Sequence, residues 1–299
     1  MGGGEETRVW IGPSGWSYPD WAGIVYPRRR PRGFAPLRFL ARYFNAVEVN
    51  SSFYAIPSPR VTAKWVKLVG PDFRFAFKLT RCFTHEPQAV PDPHAAAAFK
   101  EAVAPVREAG RLGPLLIQFP WSFRFEPKNV ARLRRLAEAF ADCERVIEVR
   151  HTSWETDEGL TEIRNAGAWC NIDQPRLRDC LGPAARVFGS LAYVRLHGRN
   201  AADWFARGVP PYQRYNYLYS QDELNEWIAR LDAICASAQD VFVFANNHYR
   251  GQGVVNALEL RAMLGVGRIA VPPDLLQSYP RLASIALPPP QPGLFDAPR

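Results

Sequence analysis

The sequence predicts a (β/α)8 barrel of the TIM type, with parallel strands enclosed by helices and a disordered Pro-rich C-terminal tail. Three observations carry this. Eight short segments rich in β-branched and aromatic residues recur along the chain, stretches of helical periodicity separate most of them, and 299 residues suit one large barrel. A doubly wound open sheet is the other arrangement open to parallel strands.

The strand segments are VWIGPSG (9–15), AVEVN (46–50), FRFAFKL (73–79), LLIQF (115–119), RVIEVR (145–150), AWCNID (168–173), AYVRLH (192–197) and VFVFANN (241–247). Apolar residues repeat at helical spacing over 36–44, 59–69, 94–109, 128–141, 155–166 and 221–238, and a last helix, 254–264, follows the eighth strand. Only 175–190, interrupted by Pro and Gly, is too broken for a long helix. The expected organisation is a flexible lead over 1–8, one barrel over 9–284 and a tail over 285–299, where LPPPQPGLFDAPR should extend as polyproline II or stay disordered.

An apolar content of 47% provides a sizeable core and excludes collagen-like or disordered chains. The longest apolar runs, such as 241–245, fall far short of the roughly 20 residues that cross a bilayer, so no membrane partner is expected. The acidic start MGGGEETRVW lacks the basic and apolar parts of a signal peptide, so the protein is expected in the cytoplasm. Five cysteines, at 82, 143, 170, 180 and 235, form no C-x-x-C pair and read as reduced, mostly buried thiols. Thirty-seven Lys and Arg against 29 Asp and Glu give a net charge of +8, which biases the surface toward polyanions such as nucleic acid. Solvated arginines on helices account for the same charge equally well.

The chemistry is read from the strand ends. Residues two apart on a strand share a face, and inward residues near the C-terminal ends form the floor of a barrel's active site. On that reading Glu48 and Asn50, Glu148 and Arg150, Asn171 and Asp173, and Arg195 and His197 point inward, joined by Lys78, Gln118, Asn246 and Asn247. Polar groups inside a barrel are costly unless they pair or serve a ligand. A self-neutralising network of Arg150 and Arg195 with Glu48, Glu148 and Asp173 is one account, and a ligand site is the other. His85, His151, His197 and His248 follow strands three, five, seven and eight, which suits acid–base work or a metal site on one rim. Trp16, Tyr18, Tyr54 and Trp154 supply aromatic faces there for a sugar or base. The loop NNHYRGQG (246–253) opens into a helix whose N-terminus could hold an anion.

These residues resemble the YecE-like family, a domain of unknown function. The likeness runs from GPSGWSYPDWAGIVYP (12–27) through FNAVEVNSSFYAIPS (44–58), FAFKLTRCFTH (75–85), LLIQFP (115–120), IEVRHTSW (147–154) and YVRLHGRN (193–200) to VFANNHYRGQGVVNA (243–257). It implies a barrel of the same type and a cleft lined by the matching polar residues, and it supplies no activity. The first loop, with Arg28, Arg29, Arg30 and Arg32, is more basic than the family pattern. Gln291, Leu294 and Phe295 in the tail resemble the Q-x-x-L-F peptide that holds bacterial sliding clamps.

The leading functional expectation is a nucleic-acid-associated phosphodiester hydrolase in DNA repair or replication, tethered to the sliding clamp by its tail. Glu148 and Asp173, with Glu48 or His197, would hold one divalent metal ion that activates water, while Lys78, Arg150 and Arg195 neutralise phosphate. The arginines compete with such a metal for the carboxylates. Asn50, Gln118, His151, Asn246 and Asn247 complete the substrate-binding set. The alternatives are a metal-free enzyme on a small phosphorylated or sugar-like substrate, with Glu148 or His197 as base, and a non-catalytic binding protein using the same cleft. The segment 201–219 is the expected lid.

Overall fold

Each strand pairs with the next in sequence from the second to the eighth, and the eighth returns to the first, so the chain travels once around a nearly closed barrel. The computed structural model describes residues 7–86 and 92–288. The strands are β1 (Arg8–Pro13), β2 (Ala46–Val49), β3 (Arg74–Lys78), β4 (Leu112–Gln118), β5 (Arg145–Glu148), β6 (Ala168–Asp173), β7 (Leu191–Leu196) and β8 (Asp240–Ala245). They lie in the order β1-β8-β7-β6-β5-β4-β3-β2 and every ladder is parallel.

Outside the sheet run α1 (Pro36–Leu40), α2 (Pro59–Val66), α3 (Arg81–Thr84), α4 (Pro93–Glu108), α5 (Pro127–Ala139), α6 (Asp157–Ala166), α7 (Gln221–Cys235), α8 (Gln252–Arg261) and α9 (Pro273–Ser278). Proline opens α1, α2, α4 and α5, where its missing N–H breaks no helical bond. Ser220 and Glu223 close a reciprocal capping box at the start of α7, worth about 1 kcal/mol. Between β6 and β7 no helix forms among the described residues, as the broken pattern predicted. The strands' outward residues, among them Val47, Phe75, Phe77, Ile147, Val194 and Val243, are buried with residues of the outer helices such as Phe99, Leu133, Ile163 and Leu231.

The interior is packed as well. Register partners in a parallel ladder share a face, so Trp10, Phe242 and Tyr193 form one inward layer and Gly12, Phe244 and Arg195 the next. Trp10 stacks on Phe242 at 6.0 Å, and the Arg74 guanidinium lies 4.6 Å from the Trp10 ring. Aromatic and apolar side chains thus plug the barrel below its polar mouth.

The seam between β1 and β2 is closed by a side chain. The Asn45 amide accepts from the Ile11 N–H and donates to the Val9 carbonyl, and farther along Gly15 N donates to Glu48 O. Gly12 permits this approach, because a Cβ there would lie 1.9 Å from the Ala46 oxygen.

Two expected boundaries shift. β1 starts at Arg8, whose N–H donates to Gln239 O, and reciprocal bonds between Ile269 and the 285–287 backbone keep the chain on the barrel past 284. Of the cysteines, Cys170 and Cys180 are buried while Cys82, Cys143 and Cys235 are only half-buried. No described helix is long and apolar enough to cross a membrane.

Candidate functional site

The C-terminal ends of β2, β5 and β7 bring two carboxylates and two guanidiniums together inside the barrel. Arg195 donates through Nη2 to Glu48 Oε1 at 2.7 Å and through Nη1 to Glu148 Oε2 at 2.6 Å, so one side chain bridges both acids. Arg150 Nε donates to Glu148 Oε1 at 2.8 Å, and the Tyr193 hydroxyl donates to Glu48 Oε2 at 2.7 Å. Glu48, Glu148, Arg195 and His197 are inaccessible to solvent. Burial alone would raise the Glu148 carboxyl, but Arg195, Arg150 and His197 outweigh it and hold this acid well below the usual range. Glu148 is therefore a fixed anion rather than a proton donor.

A chain of neutral groups leads from this network toward solvent. Asn246 Nδ2 lies 3.0 Å from His197 Nδ1, and with that bond made the proton sits on Nε2, 3.1 Å from Glu148 Oε1. Burial drives the His197 pKa down to about 3 against the pull of Glu148, so the ring is a neutral spacer at physiological pH. Asn50 Nδ2 makes a long, 3.5 Å contact with Asn246 Oδ1.

Lys78, at the end of β3, differs from its neighbours. Its register places it on the inward face with Gln118 and Glu148, yet its ammonium has no carboxylate or hydrogen-bond acceptor among the described residues. It rests instead 3.9 Å from the centroid of the Phe53 ring. Burial, reinforced by Arg195 and Arg150 and opposed by Glu148 and Glu48, lowers its pKa to about 7. The same burial, with Lys78 nearby, lowers His85 to about 3.

Above these groups opens a cavity of about 440 Å³ lined by Trp16, Tyr18, Tyr54, Trp65 and Tyr215 and by Asn50, Lys78, Asn246 and His248. Its position at the C-terminal ends of the strands and its small-molecule size are those of a barrel ligand site. Tyr18 stacks on His248 at 4.3 Å and donates to Ser14 O, which fixes one wall. The expected lid, 201–219, contributes Tyr215, while Trp204 is buried near His197 and Arg150.

Residues 10–279 match the family described as a protein of unknown function, DUF72. The chain belongs to the DUF72 family. It is similar to the UPF0759 protein YunF of Bacillus subtilis (strain 168), 28% identical over 285 residues that cover 91% of this chain and 100% of YunF. It is also similar to the UPF0759 protein YecE of Escherichia coli (strain K12), 29% identical over 144 residues, 48% of either chain. Among solved structures, a DUF72 family protein from Thermotoga maritima MSB8 superposes with a TM-score of 0.75 at 34% identity, covering 86% of this chain and 99% of that one. A second, from Enterococcus faecalis V583, gives a TM-score of 0.77 at 26% identity over 89% and 98%. The YecE-like resemblance and the TIM-type barrel both hold.

Within this DUF72 barrel the predicted residues divide. Glu48, Glu148, Arg150, Arg195 and His197 meet in the buried network, and Asn50, Lys78, Asn246, Trp16, Tyr18 and Tyr54 line the cavity. Gln118 faces inward beside Glu148 but donates to its neighbour's carbonyl, Phe119 O. Asp173 and Asn171 do not join them. Strand β6 is turned the other way, with Cys170 toward Glu148, so Asp173 faces α7 and is held by Arg199 and Trp227 Nε1. Asn171 bonds both ways with the Arg186 backbone, anchoring the segment that stands where a helix is missing. Asn247, one residue beyond Asn246, points outward to Tyr217 O and Asn256. His151 accepts from Ser153 N as a local cap, and Trp154 is buried and stacks on Phe123 at 5.4 Å. Neither belongs to the mouth.

The metal set expected from Glu148, Asp173 and His197 is therefore not assembled, and no cluster of three or more ligating side chains occurs among the described residues. Both Glu148 oxygens are engaged by Arg150 and Arg195, and both Glu48 oxygens by Arg195 and Tyr193, so each carboxylate of the network already has its partners. Gln291, Leu294 and Phe295 lie outside the described residues. Trp65 and Tyr215 were missed because they reach the cavity from α2 and from the 201–219 segment, whereas Tyr193 could have been found by stepping two residues back from Arg195.

Proposed function

We propose that this protein is a metal-free enzyme that binds one small sugar-like or phosphorylated molecule at the barrel mouth, with Lys78 as its proton-exchanging group. The supporting observation is the isolation of Lys78. Glu48 and Glu148 are matched by Arg195 and Arg150, so the amine is a surplus positive charge facing the cavity, and buried cations without a partner are costly unless a ligand uses them. Trp16, Tyr54 and Trp65 offer faces for the C–H side of a sugar, and Asn50 and Asn246 offer partners for its hydroxyls. With Glu148 held as an anion and His197 as a neutral ring, the general base is Lys78 rather than either of them.

The test is melting of the full chain with a panel of sugars and sugar phosphates, followed by calorimetry on any that raise the melting temperature. A ligand at 100 times its Kd should add about 2.7 kcal/mol of stability. Binding should fall at least tenfold in Lys78→Met. A panel without any stabilising compound, or equal binding by the variant, refutes the reading.

A second reading, contact with a phosphate backbone, has its own support. Arg28, Arg29 and Arg250 line a groove of about 720 Å³ together with Asp274, and the guanidiniums of these exposed arginines make no salt bridge among the described residues. Such binding would weaken steeply with salt. Oligonucleotide titrations at several ionic strengths decide it, and no binding at low salt removes it.

A further inference from the structure

We infer that Lys78 is a nucleophile that captures the open-chain carbonyl of its sugar-like ligand as an imine. This rests on the reading of the cavity as a small-molecule site and adds to it the substrate class, a hydroxylated aldehyde or ketone. Lysine amines become nucleophilic when they are desolvated or placed beside another cation, and both conditions hold here. Lys78 is 9% exposed, and the charged groups acting on it are Arg195 and Arg150, opposed by Glu148 and Glu48, while His85, edge-to-face with Phe53, is held neutral by burial.

Geometry lets Lys78 attack a carbonyl as well as exchange protons. A base is ordinarily oriented by a second group, as in catalytic triads, whereas no acceptor among the described residues fixes the Lys78 ammonium, which leaves its nitrogen free to reach a carbonyl carbon in the cavity. Its aromatic neighbour does a different job. The Phe53 face 3.9 Å away stabilises a cation at this nitrogen, and the iminium product keeps the positive charge there. Asn50 and Asn246, whose amides line the same cavity, can hold the carbonyl oxygen as it becomes a hydroxyl.

The step balances without an added reagent. The neutral amine attacks the carbonyl carbon, forming the C–N bond and a carbinolamine; the C–O bond then breaks and oxygen leaves as water. Starting from the ammonium, two of its three protons leave with that water and one stays on the iminium nitrogen. The iminium withdraws electrons from the adjacent carbon, which is the activation needed for isomerisation or carbon–carbon cleavage of a sugar.

The experiment is borohydride trapping on the full chain with glycolaldehyde, dihydroxyacetone and dihydroxyacetone phosphate, read by intact mass and peptide mapping. One adduct is expected, on Lys78, forming at least tenfold faster than on the exposed Lys64, Lys67 and Lys128. With cyanoborohydride, which survives at acid pH, labelling should fall by more than tenfold from about pH 8 to about pH 5, where the amine is protonated. It should be absent in Lys78→Arg, which keeps the charge, with folding checked by circular dichroism. Labelling of Lys78 no faster than of the surface lysines, or none at all, overturns the inference. If a sugar or sugar phosphate still binds by calorimetry without forming an adduct, imine chemistry fails and the cavity reading stands; if neither occurs, both fail.

Discussion

Replacing Lys78 with Met should make the protein more stable at neutral pH, by an amount that shrinks as the pH rises. Its ordinary pKa of 10.5 falls to about 7 in the folded chain, so between those values the unfolded chain binds more protons than the folded one. Stability therefore rises with pH across that window, and the penalty for burying the ammonium is greatest below it. At about 1.4 kcal/mol per pH unit the full penalty is about 5 kcal/mol, nearly all of it present at about pH 6, and about 2 kcal/mol of it remains at about pH 9. Met keeps the apolar stem and removes the charge. Urea denaturation of both proteins across this range gives the difference, because groups remote from Lys78 cancel between them and His85, lowered to about 3, does not titrate in it. The gain from Lys78→Met should fall by about 3 kcal/mol from about pH 6 to about pH 9. A difference that is flat with pH would show that Lys78 is not desolvated, and would remove the basis for treating it as a surplus charge.

Arg195→Met should destabilise by about 3–5 kcal/mol, since it leaves Glu48 and Glu148 buried without the guanidinium they share; chemical denaturation measures it. Asp173→Asn should cost about 2–4 kcal/mol by loosening Arg199 and Trp227, yet leave ligand affinity at the mouth unchanged by calorimetry, which separates it from the cavity residues. Gly12→Ala should cost about 3 kcal/mol or more, because the new Cβ meets the Ala46 oxygen across the seam; a melting scan showing near wild-type stability would contradict that closure.

The barrel was legible because strand composition and helical spacing are local signals, and the missing element at 175–190 was legible from the same rule. The site was legible only where alternation could be anchored. In β2, β5 and β7 the apolar partners faced helices, so Glu48, Glu148 and Arg195 fell inward as read. In β6 the assumption that polar means inward failed. Arg199, Trp227 and the Arg186 backbone supply polar partners on the outer face, and none of them is visible from the strand itself. For Asn246 and Asn247 the alternation forbade what was expected, since adjacent residues cannot share a face. His151 and Trp154 lie past the end of β5, where strand periodicity no longer gives a direction.

The Arg195 bridge also bears on how the sheet finds its alignment. A one-residue slip of β7 would turn Arg195 toward the helices and Leu196 toward the axis, leaving Glu48 and Glu148 facing each other in an apolar interior without their shared cation. Glu148 would keep Arg150, but Glu48 would lose its guanidinium, and an uncompensated buried charge costs several kcal/mol, a large part of the stability of a typical domain. Hydrophobic packing alone discriminates poorly between neighbouring registers in strands buried on both faces, because apolar side chains occur on either side. The two acids and their arginine thus act as an electrostatic key for strand alignment: only one setting of β7 against β6 and β8 lets Arg195 reach both carboxylates as the barrel closes.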